Sequence, residues 1–517
     1  MRKSAVEWFV DGLRERGVEW ISALCGHGLD PLFDAADRSG IRIVDVRNEQ
    51  TAGYIADYWG RLTRRPGVCA SSSGVAVANL LTGAMNAWFD GAPMLAISGS
   101  ADLATLGLGS FQDSPHVEMA APVTRLSRVL DTPNRAVQVL DEAWRTASGP
   151  APGPVHLLLP MDVQRTLVDE ADLVRPSGGD REGAGVSSGR AAAAVQALLA
   201  AKRPLIVAGS GVYYSGEGED LASFAARFHI PVQTPIWDRG VFAEPHDAFV
   251  GVVGAATGGP DLLAQADCVL VAGAEPDYRL GYLQRDGVHR MTRGWRQLED
   301  RFVDAGGAPF DAWLADARGQ RDAYTGKIAA TGRAQAAGGT HAVDIVEAVR
   351  VALPGDGTLV VDGGSIGQWA HQLLCDRRYP HYWLTCGRSG VVGYGLAGAM
   401  AARLARPEAA VVLLSGDGAF TFTAAEIECA VRQKLPFVAV VADDRCWGIT
   451  HSGHQRQFGR GIGTELGEIR FDLLAQSMGA RGVRVENAAG IAPAIADGIA
   501  SREVTVIHVP IVGGNPV

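Results

Sequence analysis

Two aspartates near the C-terminal end of the sequence have the residue type and the surroundings of ligands for a hard divalent cation. Asp417 lies between Gly416 and Gly418, and Asp444 follows it by 27 residues. Mg²⁺ in proteins typically takes one or two carboxylates together with phosphate oxygens. Glycine allows backbone N–H groups to approach a bound diphosphate closely. This spacing therefore predicts a site that holds a diphosphate through a metal ion.

The segments around these aspartates are predicted to bring them together. The apolar run Val411–Leu414 is typical of a buried strand and ends just before Asp417, and Phe437–Val441 is a second such run that ends just before Asp444. A helical pattern and Pro436 separate the two runs. Ligands of an open parallel sheet bind beyond the carboxyl ends of its strands. We therefore expect the two carboxylates to lie close enough to share one ion.

A second Gly-Asp-Gly triplet indicates how much of this prediction depends on context. Gly355–Gly357 precedes the predicted strand Thr358–Val361 instead of following it, and the residue 27 positions after Asp356 is Trp383. These features predict a plain turn. A plain turn is the alternative for Gly416–Gly418 as well, but the strand before that triplet, the helix after it and the distant carboxylate favour a ligand site.

Short apolar runs alternate with longer helical patterns along the chain, which predicts an α/β fold of doubly wound parallel sheets covered by helices. Two polar, small-residue stretches, Arg175–Arg190 and Thr325–Thr340, are interpreted as linkers. They delimit three predicted domains over residues 1–174, 190–324 and 341–517. The predicted strands are Ile41–Val46, Val68–Ser71, Met94–Ser98, Val155–Leu159, Pro204–Ala208, Cys268–Ala272, Leu359–Val361, Val411–Leu414, Phe437–Val441 and Val504–Val509.

Composition argues against several classes of function. The 517 residues carry a formal charge of −10, which disfavours binding to nucleic acid or to anionic membranes. No segment reaches the roughly 18 unbroken apolar residues of a membrane span. Met1–Trp20 has the pattern of an amphipathic helix and lacks the apolar core of a signal peptide. The seven cysteines are scattered without a CxxC pair, so a reduced, cytoplasmic protein is expected.

Glu49 is a third acidic residue that could take part in chemistry. It follows the predicted strand Ile41–Val46 and opens a helix patterned on Ala52, Ile55 and Trp59. The positive end of the helix dipole favours a carboxylate at this position whatever its function. Position alone therefore leaves a purely structural role open.

The segment Val411–Thr450 resembles the diphosphate-binding motif of thiamine diphosphate (ThDP)-dependent enzymes, in which a Gly-Asp-Gly triplet precedes an Asn-Asn or Asn-Asp pair by about the same spacing. The resemblance implies ThDP and Mg²⁺ as cofactors. It also implies that Asp417, Asp444 and the backbone carbonyl of Cys446 are the metal ligands. Asp443 stands where the family usually has asparagine, which adds negative charge near the diphosphate.

Two further regions resemble the cofactor site of the same enzymes. Ile41–Ser100 is similar to their pyrimidine-binding domain, which places Glu49 on the glutamate that hydrogen-bonds the aminopyrimidine ring and relays a proton. Gly387–Gly398 is similar to the loop under the bend of the cofactor, where the Val392 side chain would wedge the two rings into a V. The implied cofactor-binding residues are Gly364, Ser365, Ile366, Gly390, Val392, Gly416, Asp417, Gly418, Ala419, Asp444, Trp447 and Gly448.

The resemblance covers nearly the whole chain and is to the acetolactate synthase-like, benzaldehyde lyase-like and benzoylformate decarboxylase-like enzymes. It is closest to the benzaldehyde lyase-like enzymes. Gln112 falls on a glutamine that faces substrate in several of them, which implies a polarising donor. Cys25 occupies the position at which they place a proline or a working histidine, and His27 lies two residues further on. His27 is either a catalytic proton shuttle or a turn histidine. Trp447 and His451 are expected at the edge of the site, with packing as the alternative for the tryptophan.

The leading hypothesis is a ThDP- and Mg²⁺-dependent lyase or carboligase that cleaves or forms a C–C bond next to the carbonyl of a 2-oxo acid, aldehyde or 2-hydroxy ketone. The alternatives are a non-oxidative 2-oxo acid decarboxylase, a flavin-linked oxidase and a non-catalytic ThDP-binding protein. Gly209–Gly211 in the central domain is only weak evidence for a dinucleotide. Because the family builds each cofactor site from two subunits, a homodimer or homotetramer with active sites at the subunit interface is expected.

Overall fold

The computed structural model describes residues 1–176, 188–242, 244–254, 260–374 and 383–516. The chain divides into two compact units, each built around parallel sheets. The first unit comprises Met1–Gly183 with Leu396–Pro407 and Thr423–Leu435. The second unit comprises Ala184–Gly395, Glu408–Phe422 and Pro436–Val517.

Most strands are short and buried along their whole length, as expected for parallel sheets that helices cover on both faces. In chain order they are β1 (Arg2–Ser4), β2 (Trp20–Ala23), β3 (Arg42–Asp45), β4 (Gly67–Ser71), β5 (Met94–Ser100), β6 (Leu126–Val129), β7 (Pro154–Pro160), β8 (Leu167–Asp169), β9 (Pro204–Ala208), β10 (Val232–Pro235), β11 (Phe249–Val253), β12 (Cys268–Ala272), β13 (Val288–Arg290), β14 (Thr358–Asp362), β15 (Trp383–Leu384), β16 (Val411–Gly416), β17 (Val438–Asp443), β18 (Arg481–Arg484) and β19 (Thr505–Pro510).

The helices between these strands differ in length from one to about seven turns. Within the described ranges, none combines the length and the apolar character that crossing a membrane requires. They are α1 (Ala5–Glu15), α2 (Asp30–Arg38), α3 (Glu49–Thr63), α4 (Val75–Asp90), α5 (His116–Ala120), α6 (Ala136–Ser148), α7 (Met161–Arg165), α8 (Ser188–Ala200), α9 (Ser210–Ser215), α10 (Gly218–Phe228), α11 (Leu262–Gln265), α12 (Trp295–Asp304), α13 (Asp311–Gln335), α14 (Ala342–Ala352), α15 (Gly364–Leu373), α16 (Gly395–Ala405), α17 (Asp417–Thr421), α18 (Glu426–Arg432), α19 (Gly448–Phe458), α20 (Phe471–Ser477) and α21 (Ile491–Ser501).

The first unit contains a six-stranded parallel sheet in the order β3-β2-β4-β5-β7-β6. Strands β1 and β8 form a separate antiparallel pair. Phe9 of α1 and Leu140 of α6 belong to the same buried apolar cluster as Leu95 and Ile97 of the central strand β5. One face of the sheet is therefore closed by the helices that flank it in the sequence.

Helices α3 and α4 of the first unit cross at short range because two glycines meet there. A Cβ atom on Gly53 would lie 2.8 Å from the carbonyl oxygen of Leu80, and one on Gly83 would lie 2.4 Å from the carbonyl carbon of Gly53. Glu49 and Asn79 each lie one helical turn before one of these glycines. The crossing therefore brings the first turn of α3 next to the first turn of α4.

A buried ion pair strengthens the same helix contact. Arg61 of α3 is 1% exposed and donates to Asp57 Oδ1 at 2.8 Å and to the carbonyl oxygen of Asn86 on α4 at 3.2 Å. The side chain of Asn86 in turn donates to Asp57 Oδ2 at 2.8 Å. Because each partner of this cluster is hydrogen-bonded, the charges can be buried between the two helices.

The second unit contains two parallel sheets. One has five strands in the order β11-β10-β9-β12-β13, and the other has six in the order β15-β14-β16-β17-β19-β18. In the six-stranded sheet, β14, β16 and β17 are adjacent and in register, so that Asp362 is opposite Ser415 and Gly416 is opposite Ala442. The carboxyl ends of these three strands therefore lie side by side.

The predicted fold class is confirmed, because three parallel sheets flanked by helices account for the described chain. Each predicted strand overlaps an observed one. The second triplet, Gly355–Gly357, lies at a turn before β14, as predicted. Six of the seven cysteines fall in described parts of the chain and are free thiols, and Cys375 lies outside them.

The interpretation of Thr325–Thr340 as a linker is wrong, because α13 continues through it as far as Gln335. Its glycines suggested a loop, but Gly332 packs tightly: a Cβ atom there would lie 2.9 Å from both the Trp369 ring and the Val343 side chain. Residues 177–187 of the other predicted linker, Arg175–Arg190, lie outside the described residues, and α8 begins at Ser188. The predicted domain boundaries themselves stay a prediction.

Candidate active site

Asp417 and Asp444 lie at one edge of the six-stranded sheet of the second unit. Strand β16 ends at Gly416 and α17 begins at Asp417, while β17 ends at Asp443. Since β16 and β17 are parallel neighbours in register, their carboxyl ends bring both carboxylates to the same place. This is the placement expected from the sequence.

Burial makes both carboxylates costly to ionise. Burial raises the pKa of Asp417, and the charge of Asp444 adds to the rise, although the Gly418 N–H opposes it by donating to Asp417 Oδ1 at 2.7 Å. Burial also raises the pKa of Asp444 to about 6, against a hydrogen bond of 3.1 Å from the Cys446 N–H. A buried and a half-buried carboxylate with raised pKa values would be stabilised by a divalent cation between them.

A serine and several glycines complete this edge of the sheet. The Ser365 hydroxyl, in the first turn of α15, is buried and has no hydrogen-bond partner among the residues that the structure describes. A Cβ atom on Gly448 would lie 2.3 Å from Ser365 Oγ and 2.9 Å from Asp444 Oδ2. Gly364 and Gly416 face each other, since a Cβ atom on Gly364 would lie 3.5 Å from the Gly416 Cα. Glycine backbones, a free hydroxyl and a helix N-terminus are groups that a phosphate would satisfy.

The donor set fits a diphosphate held through Mg²⁺. In the described ranges no three side chains of His, Cys, Asp or Glu cluster as a complete protein-built metal site. Mg²⁺ is commonly bound by one or two carboxylates plus phosphate oxygens, and Asp417 and Asp444 supply that number. The unpaired hydroxyl of Ser365 supplies a donor for the phosphate itself.

The other residues predicted around the diphosphate have mainly structural contacts. Ile366 is 1% exposed, so its side chain belongs to the apolar core and only its backbone faces the loop. Ala419 is also buried, and its Cβ would lie 2.8 Å from a Cβ atom on Gly363. Gly418 has room for no side chain, because a Cβ atom there would lie 2.7 Å from the Trp447 ring.

Asp443 has an environment unlike that of Asp444. Burial tends to raise the pKa of Asp443, but hydrogen bonding to His508 and the charge of that ring more than offset the effect, so that the pKa is lowered. Asp472, the other carboxylate beside His508, has its pKa lowered by its hydrogen bond to Arg470, with the hydrogen bond to His508 adding to the effect. The extra aspartate at position 443 therefore has its own positively charged partner.

The loop that contains Gly390 and Val392 is held by a residue that the sequence interpretation did not single out. Asp362, at the end of β14, accepts hydrogen bonds from the N–H groups of Gly393 at 3.0 Å and Gly395 at 2.8 Å. Burial raises the pKa of Asp362 to about 7, although these two hydrogen bonds oppose the rise. An aspartate at a strand end is the same signal that identified Asp417, so the sequence pattern could have revealed it.

Within that loop, Gly390 is uncrowded and Val392 lies close to Gly363. Gly390 has a φ of 68°, and none of the described atoms lies within 4 Å of a Cβ built on it. The Val392 side chain is half-buried and its Cγ1 would lie 3.2 Å from a Cβ on Gly363. Gly363 thus places the Val392 side chain close to the backbone at the end of β14.

In the first unit, Glu49 is the first residue of α3 and is half-buried. Asn79 of α4 donates from Nδ2 to Glu49 Oε2 at 3.0 Å, across the glycine crossing of the two helices. Asn79 was not among the predicted site residues, because its role depends on a contact between two helices that a linear pattern does not show.

The loop before Glu49 is fixed by α18, which belongs to the same unit. The Arg47 N–H donates to Glu426 Oε1 at 3.0 Å, and Glu426 is 1% exposed. Arg432 of α18 makes two hydrogen bonds of 2.6 Å to Asp45 at the end of β3. The residues on both sides of the strand end are thereby held, which fixes the start of α3 and the position of Glu49.

Gln112 lies in a second loop of the first unit and contacts the start of α4. Its Oε1 accepts a hydrogen bond from the Ser73 hydroxyl at 3.2 Å, and its Cβ would lie 2.8 Å from a Cβ on Gly74. Gln112 has a φ of 57°, which is uncommon for a residue other than glycine and is found at functional sites. The N–H of Gly74 donates to His116 Nε2 at 2.9 Å, so this buried histidine, which was not predicted, fixes the same loop.

His27 and Cys25 are both exposed in the first unit. The His27 ring packs edge to face against Phe111, with ring centroids 5.6 Å apart, and the His27 carbonyl accepts from the Ser73 N–H at 3.3 Å. The structure therefore brings His27 and Gln112 to the two sides of Ser73. The choice between a catalytic histidine and a turn histidine stays open at the level of these contacts.

Trp447 and His451 lie beside the carboxylate edge of the second unit. Trp447 packs on Gly418 and meets Phe422 edge to face at 6.1 Å between ring centroids. His451 hydrogen-bonds the Thr464 hydroxyl through Nδ1 at 2.8 Å, and it lies within α19, which extends to Phe458. Both side chains have structural contacts of their own, as the packing alternative for Trp447 expects.

These features define the class of protein: an α/β enzyme whose strand-end carboxylates and glycine loops suit a diphosphate cofactor. The sequence matches three domain models of one family over most of its length. They are the N-terminal TPP binding domain of thiamine pyrophosphate enzymes at residues 3–120, the central domain at 191–288 and the C-terminal TPP binding domain at 362–509. The chain belongs to the thiamine pyrophosphate enzyme family.

The chain is similar to members of this family that have different activities. It is 28% identical over 522 residues to a probable acetolactate synthase of Mycobacterium bovis, covering 96% of this chain and 94% of the relative. It is 28% identical over 536 residues to human 2-hydroxyacyl-CoA lyase 2, covering 91% and 83%. It is 28% identical over 447 residues to the probable 2-ketoarginine decarboxylase AruI of Pseudomonas aeruginosa, covering 81% and 78%. The protein is thus a thiamine diphosphate-dependent enzyme of the synthase, lyase and decarboxylase group.

Proposed function

We propose that this enzyme is a ThDP- and Mg²⁺-dependent lyase or carboligase that breaks or forms the C–C bond next to the carbonyl of a 2-oxo acid or a 2-hydroxy ketone. The observation that carries the proposal is the group at the sheet edge of the second unit, where Asp417, Asp444 and the unpaired Ser365 hydroxyl converge around glycine backbones. The family match over both cofactor-binding domains supports the same cofactor.

On the diphosphate side, Asp417, Asp444 and the backbone carbonyl of Cys446 would hold Mg²⁺. The Ser365 hydroxyl and the N–H groups at the start of α15 would donate to the phosphates. A cation between the carboxylates would offset the burial and the neighbouring negative charge that raise their pKa values. Binding of the metal and binding of the diphosphate are therefore expected to depend on each other.

On the pyrimidine side, Glu49 would donate a proton to the aminopyrimidine ring or accept one from it. Asn79 keeps one Glu49 oxygen in place by donating to it at 3.0 Å, which leaves the other oxygen for the cofactor. When bound, ThDP supplies an electron sink for negative charge that develops on the carbon next to the carbonyl. The protein supplies the position of the ring and one proton relay.

The substrate shell is proposed to consist of Gln112 and His27. The Gln112 amide has its oxygen engaged by Ser73, so its NH₂ group is oriented outward as a donor toward a carbonyl or carboxylate oxygen. His27 is exposed and carries an imidazole that can donate or accept a hydrogen bond. These residues would select and orient the substrate, while Glu49 serves the cofactor.

A flavin-linked oxidase is disfavoured by the glycine loop of the central sheet. The N–H of Ser210 already donates to Asp238 Oδ2 at 3.0 Å, and the N–H of Gly211 donates to the Gly273 carbonyl at 2.9 Å. Asp238 is itself paired with Arg279 at 2.6 Å. The backbone groups that would cradle a dinucleotide phosphate are thus used within the protein.

Simple decarboxylation of a 2-oxo acid is the second candidate. The similarity to the probable 2-ketoarginine decarboxylase over 447 residues favours it. A decarboxylase releases CO₂ and an aldehyde from one 2-oxo acid, whereas a carboligase joins the remaining fragment to a second carbonyl compound. The two reactions are distinguished by their products.

We propose that the enzyme works as a homodimer or a larger homo-oligomer, with a second copy covering the exposed side of α4. Val75, Met85 and Phe89 are 76%, 46% and 41% exposed and lie on one side of this helix together with Asn79. An exposed apolar stripe beside the Glu49–Asn79 contact is typical of a surface that another protein covers. Contact with a second copy there would exclude water from Glu49.

The proposal is tested by incubating the protein with ThDP, Mg²⁺ and a panel of 2-oxo acids and aldehydes, with products identified by mass spectrometry. We expect 2-hydroxy ketones from pairs of substrates, and the oligomeric state is measured on the same sample by light scattering. CO₂ and aldehyde alone would favour the second candidate. A yellow protein that consumes oxygen would favour the oxidase.

The control is the Glu49→Gln protein, which keeps the shape of the side chain and removes its acid–base function. We expect its turnover to fall by about 10²- to 10⁴-fold, the range of a general acid–base residue. Undiminished turnover in this variant, or turnover by a monomer, would contradict the proposed mechanism.

A further inference from the structure

His508 is a buried histidine in the middle of the apolar strand β19. It is 1% exposed, and its neighbours Val506, Ile507 and Val509 are part of the buried core. Its Nε2 lies 2.8 Å from Asp443 Oδ2, and its Nδ1 lies 3.3 Å from Asp472 Oδ1. Packing of this apolar strand does not require a histidine that contacts two carboxylates, so these polar contacts need another explanation.

The two neighbours of His508 determine how it bonds. Each ring nitrogen of His508 is used by a different carboxylate, Nε2 by Asp443 and Nδ1 by Asp472. Asp472 is bound on its other side by Arg470, at 2.9 and 2.6 Å. The result is a connected chain of charged and hydrogen-bonding side chains, Arg470–Asp472–His508–Asp443, in which only Arg470 reaches the surface.

This chain of charges ends at the proposed metal ligands. Asp443 directly precedes Asp444, and its negative charge adds to the effect of burial in raising the pKa of Asp417. The Arg445 N–H also donates to Asp443 Oδ1 at 3.2 Å. Three carboxylates therefore lie at one edge of the sheet, where two would serve a Mg²⁺ ion. The third is the residue that replaces the family's usual asparagine.

We propose that His508 is a positioning residue that fixes the Asp443 carboxylate, and through it the adjoining Asp444 and Cys446, in the orientation needed for binding Mg²⁺ with the diphosphate. The inference deepens the proposed function and rests on its metal site. Outer partners that hydrogen-bond a ligating group fix its orientation, and removal of such a partner commonly costs 10- to 100-fold in metal affinity. In this chain the partner also balances the negative charge that Asp443 adds.

The test is the Mg²⁺ concentration that gives half of the thermal stabilisation of the full-length protein at saturating ThDP. This readout needs no turnover. In His508→Gln, whose amide can donate to only one carboxylate at full strength, we expect the half-saturating Mg²⁺ concentration to rise by about tenfold or more. Asp443→Asn, which removes the extra charge and restores the usual residue of the family, should stay within about threefold of the wild type.

The double variant Asp443→Asn/His508→Gln separates positioning from general destabilisation. Without the Asp443 charge, loss of His508 should change the half-saturating Mg²⁺ concentration by less than about threefold relative to Asp443→Asn, because coupled residues are not additive. Equal shifts in the two backgrounds would overturn the inference. If His508→Gln alone does not fold, folding of the double variant supports the charge balance. If neither variant folds, the test uses Asp472→Asn instead. We expect a smaller rise in its half-saturating Mg²⁺ concentration, and an unchanged concentration would overturn the inference.

His156→Gln is the matched control for the loss of a buried histidine. His156 is 0% exposed in β7 of the first unit and hydrogen-bonds Ser98 at 2.7 Å and Ser127 at 2.9 Å. We expect it to lower the melting temperature without moving the half-saturating Mg²⁺ concentration. A wild-type protein with no Mg²⁺-dependent stabilisation by ThDP would contradict the proposed function. A wild-type response with His508→Gln inside threefold of it would contradict only this inference.

Discussion

The carboxylates at the sheet edge of the second unit and the glutamate at the start of α3 in the first unit are prepared for their chemistry in opposite ways. Asp417 is buried and Asp444 is half-buried, each accepts a hydrogen bond from a backbone N–H group, and both have pKa values raised by burial and by a neighbouring carboxylate charge. Glu49 is half-buried, bonded by one amide at 3.0 Å and flanked by an exposed apolar helix surface.

The difference fits the component that we propose for each site. A cation would offset the burial and the carboxylate charge that raise the pKa values of the two aspartates. A second copy of the chain would cover Glu49, which is half-buried beside exposed apolar side chains. One site would be completed by an ion and the other by a second copy of the chain.

The largest expected effect separates binding of the cofactor, which depends on Asp417, from turnover, which depends on Glu49 as well. In Asp417→Ala we expect ThDP with Mg²⁺ to give no thermal stabilisation and turnover to fall below detection, because the metal loses one of two carboxylate ligands. In Glu49→Gln we expect stabilisation by ThDP to persist, since the diphosphate side is intact, while turnover falls. The measurements are thermal stability with and without cofactors and product formation by mass spectrometry.

Asp356→Ala is the matched control, because Asp356 lies in the other Gly-Asp-Gly triplet, at an exposed turn before β14. It should change neither binding nor turnover. The metal site would not lie at Gly416–Gly418 if Asp417→Ala kept its cofactor-dependent stabilisation. The same conclusion would follow if Asp356→Ala lost that stabilisation.

The sequence was sufficient to predict the sheet edge because its signal is local. A strand that ends in Gly-Asp-Gly and a second strand that ends in Asp-Asp must meet if the sheet is parallel, so the position of Asp417 beside Asp444 follows from topology. The same reasoning applied to β14 would have identified Asp362. Gly355–Gly357 precedes its strand and has no carboxylate 27 residues after its aspartate, so the same rule predicted a turn there.

The surroundings of Glu49 were less predictable because they are made by distant contacts. Asn79 reaches Glu49 only because Gly53 and Gly83 allow α3 and α4 to cross closely, and the loop is fixed by Glu426, which is 379 residues away from Arg47 in the sequence. The error at Thr325–Thr340 has a related cause. Gly332 looked like a loop residue, but its missing side chain makes room for Trp369 in a helix contact.

A smaller effect is expected when the glycine crossing is filled. Gly53→Ala and Gly83→Ala each place a Cβ atom within 3 Å of the facing backbone, which should destabilise the protein by about 1–3 kcal/mol and lower turnover by displacing Glu49. In Gly319→Ala, in α13, none of the described atoms lies within 4 Å of the added Cβ. That variant should be stabilised by up to about 1 kcal/mol with unchanged turnover.

Melting temperature and turnover are measured together for these three variants. We expect Gly53→Ala and Gly83→Ala to lose turnover while their ThDP and Mg²⁺ binding stays normal, because only the Glu49 site of the first unit is disturbed. Equal behaviour of Gly53→Ala and Gly319→Ala would mean that the crossing does not position Glu49.

The smallest expected effect concerns the pH dependence of stability through Asp362, another buried carboxylate of the second unit. Its pKa is raised by burial from 3.8 to about 7, so between these values the folded protein binds a proton that the unfolded chain has lost. Stability from this group is therefore complete below about pH 4 and is lost as pH rises toward 7, by at most about 1.4 kcal/mol per pH unit.

Asp362→Asn removes this pH dependence of the free energy of unfolding, although it weakens one of the bonds to Gly393 and Gly395 at every pH. The urea midpoint of the cofactor-free wild type should therefore fall relative to that of the variant between pH 5 and pH 7. A difference that does not change with pH would mean that Asp362 is ionised throughout this range, and that its two backbone donors offset the cost of its burial.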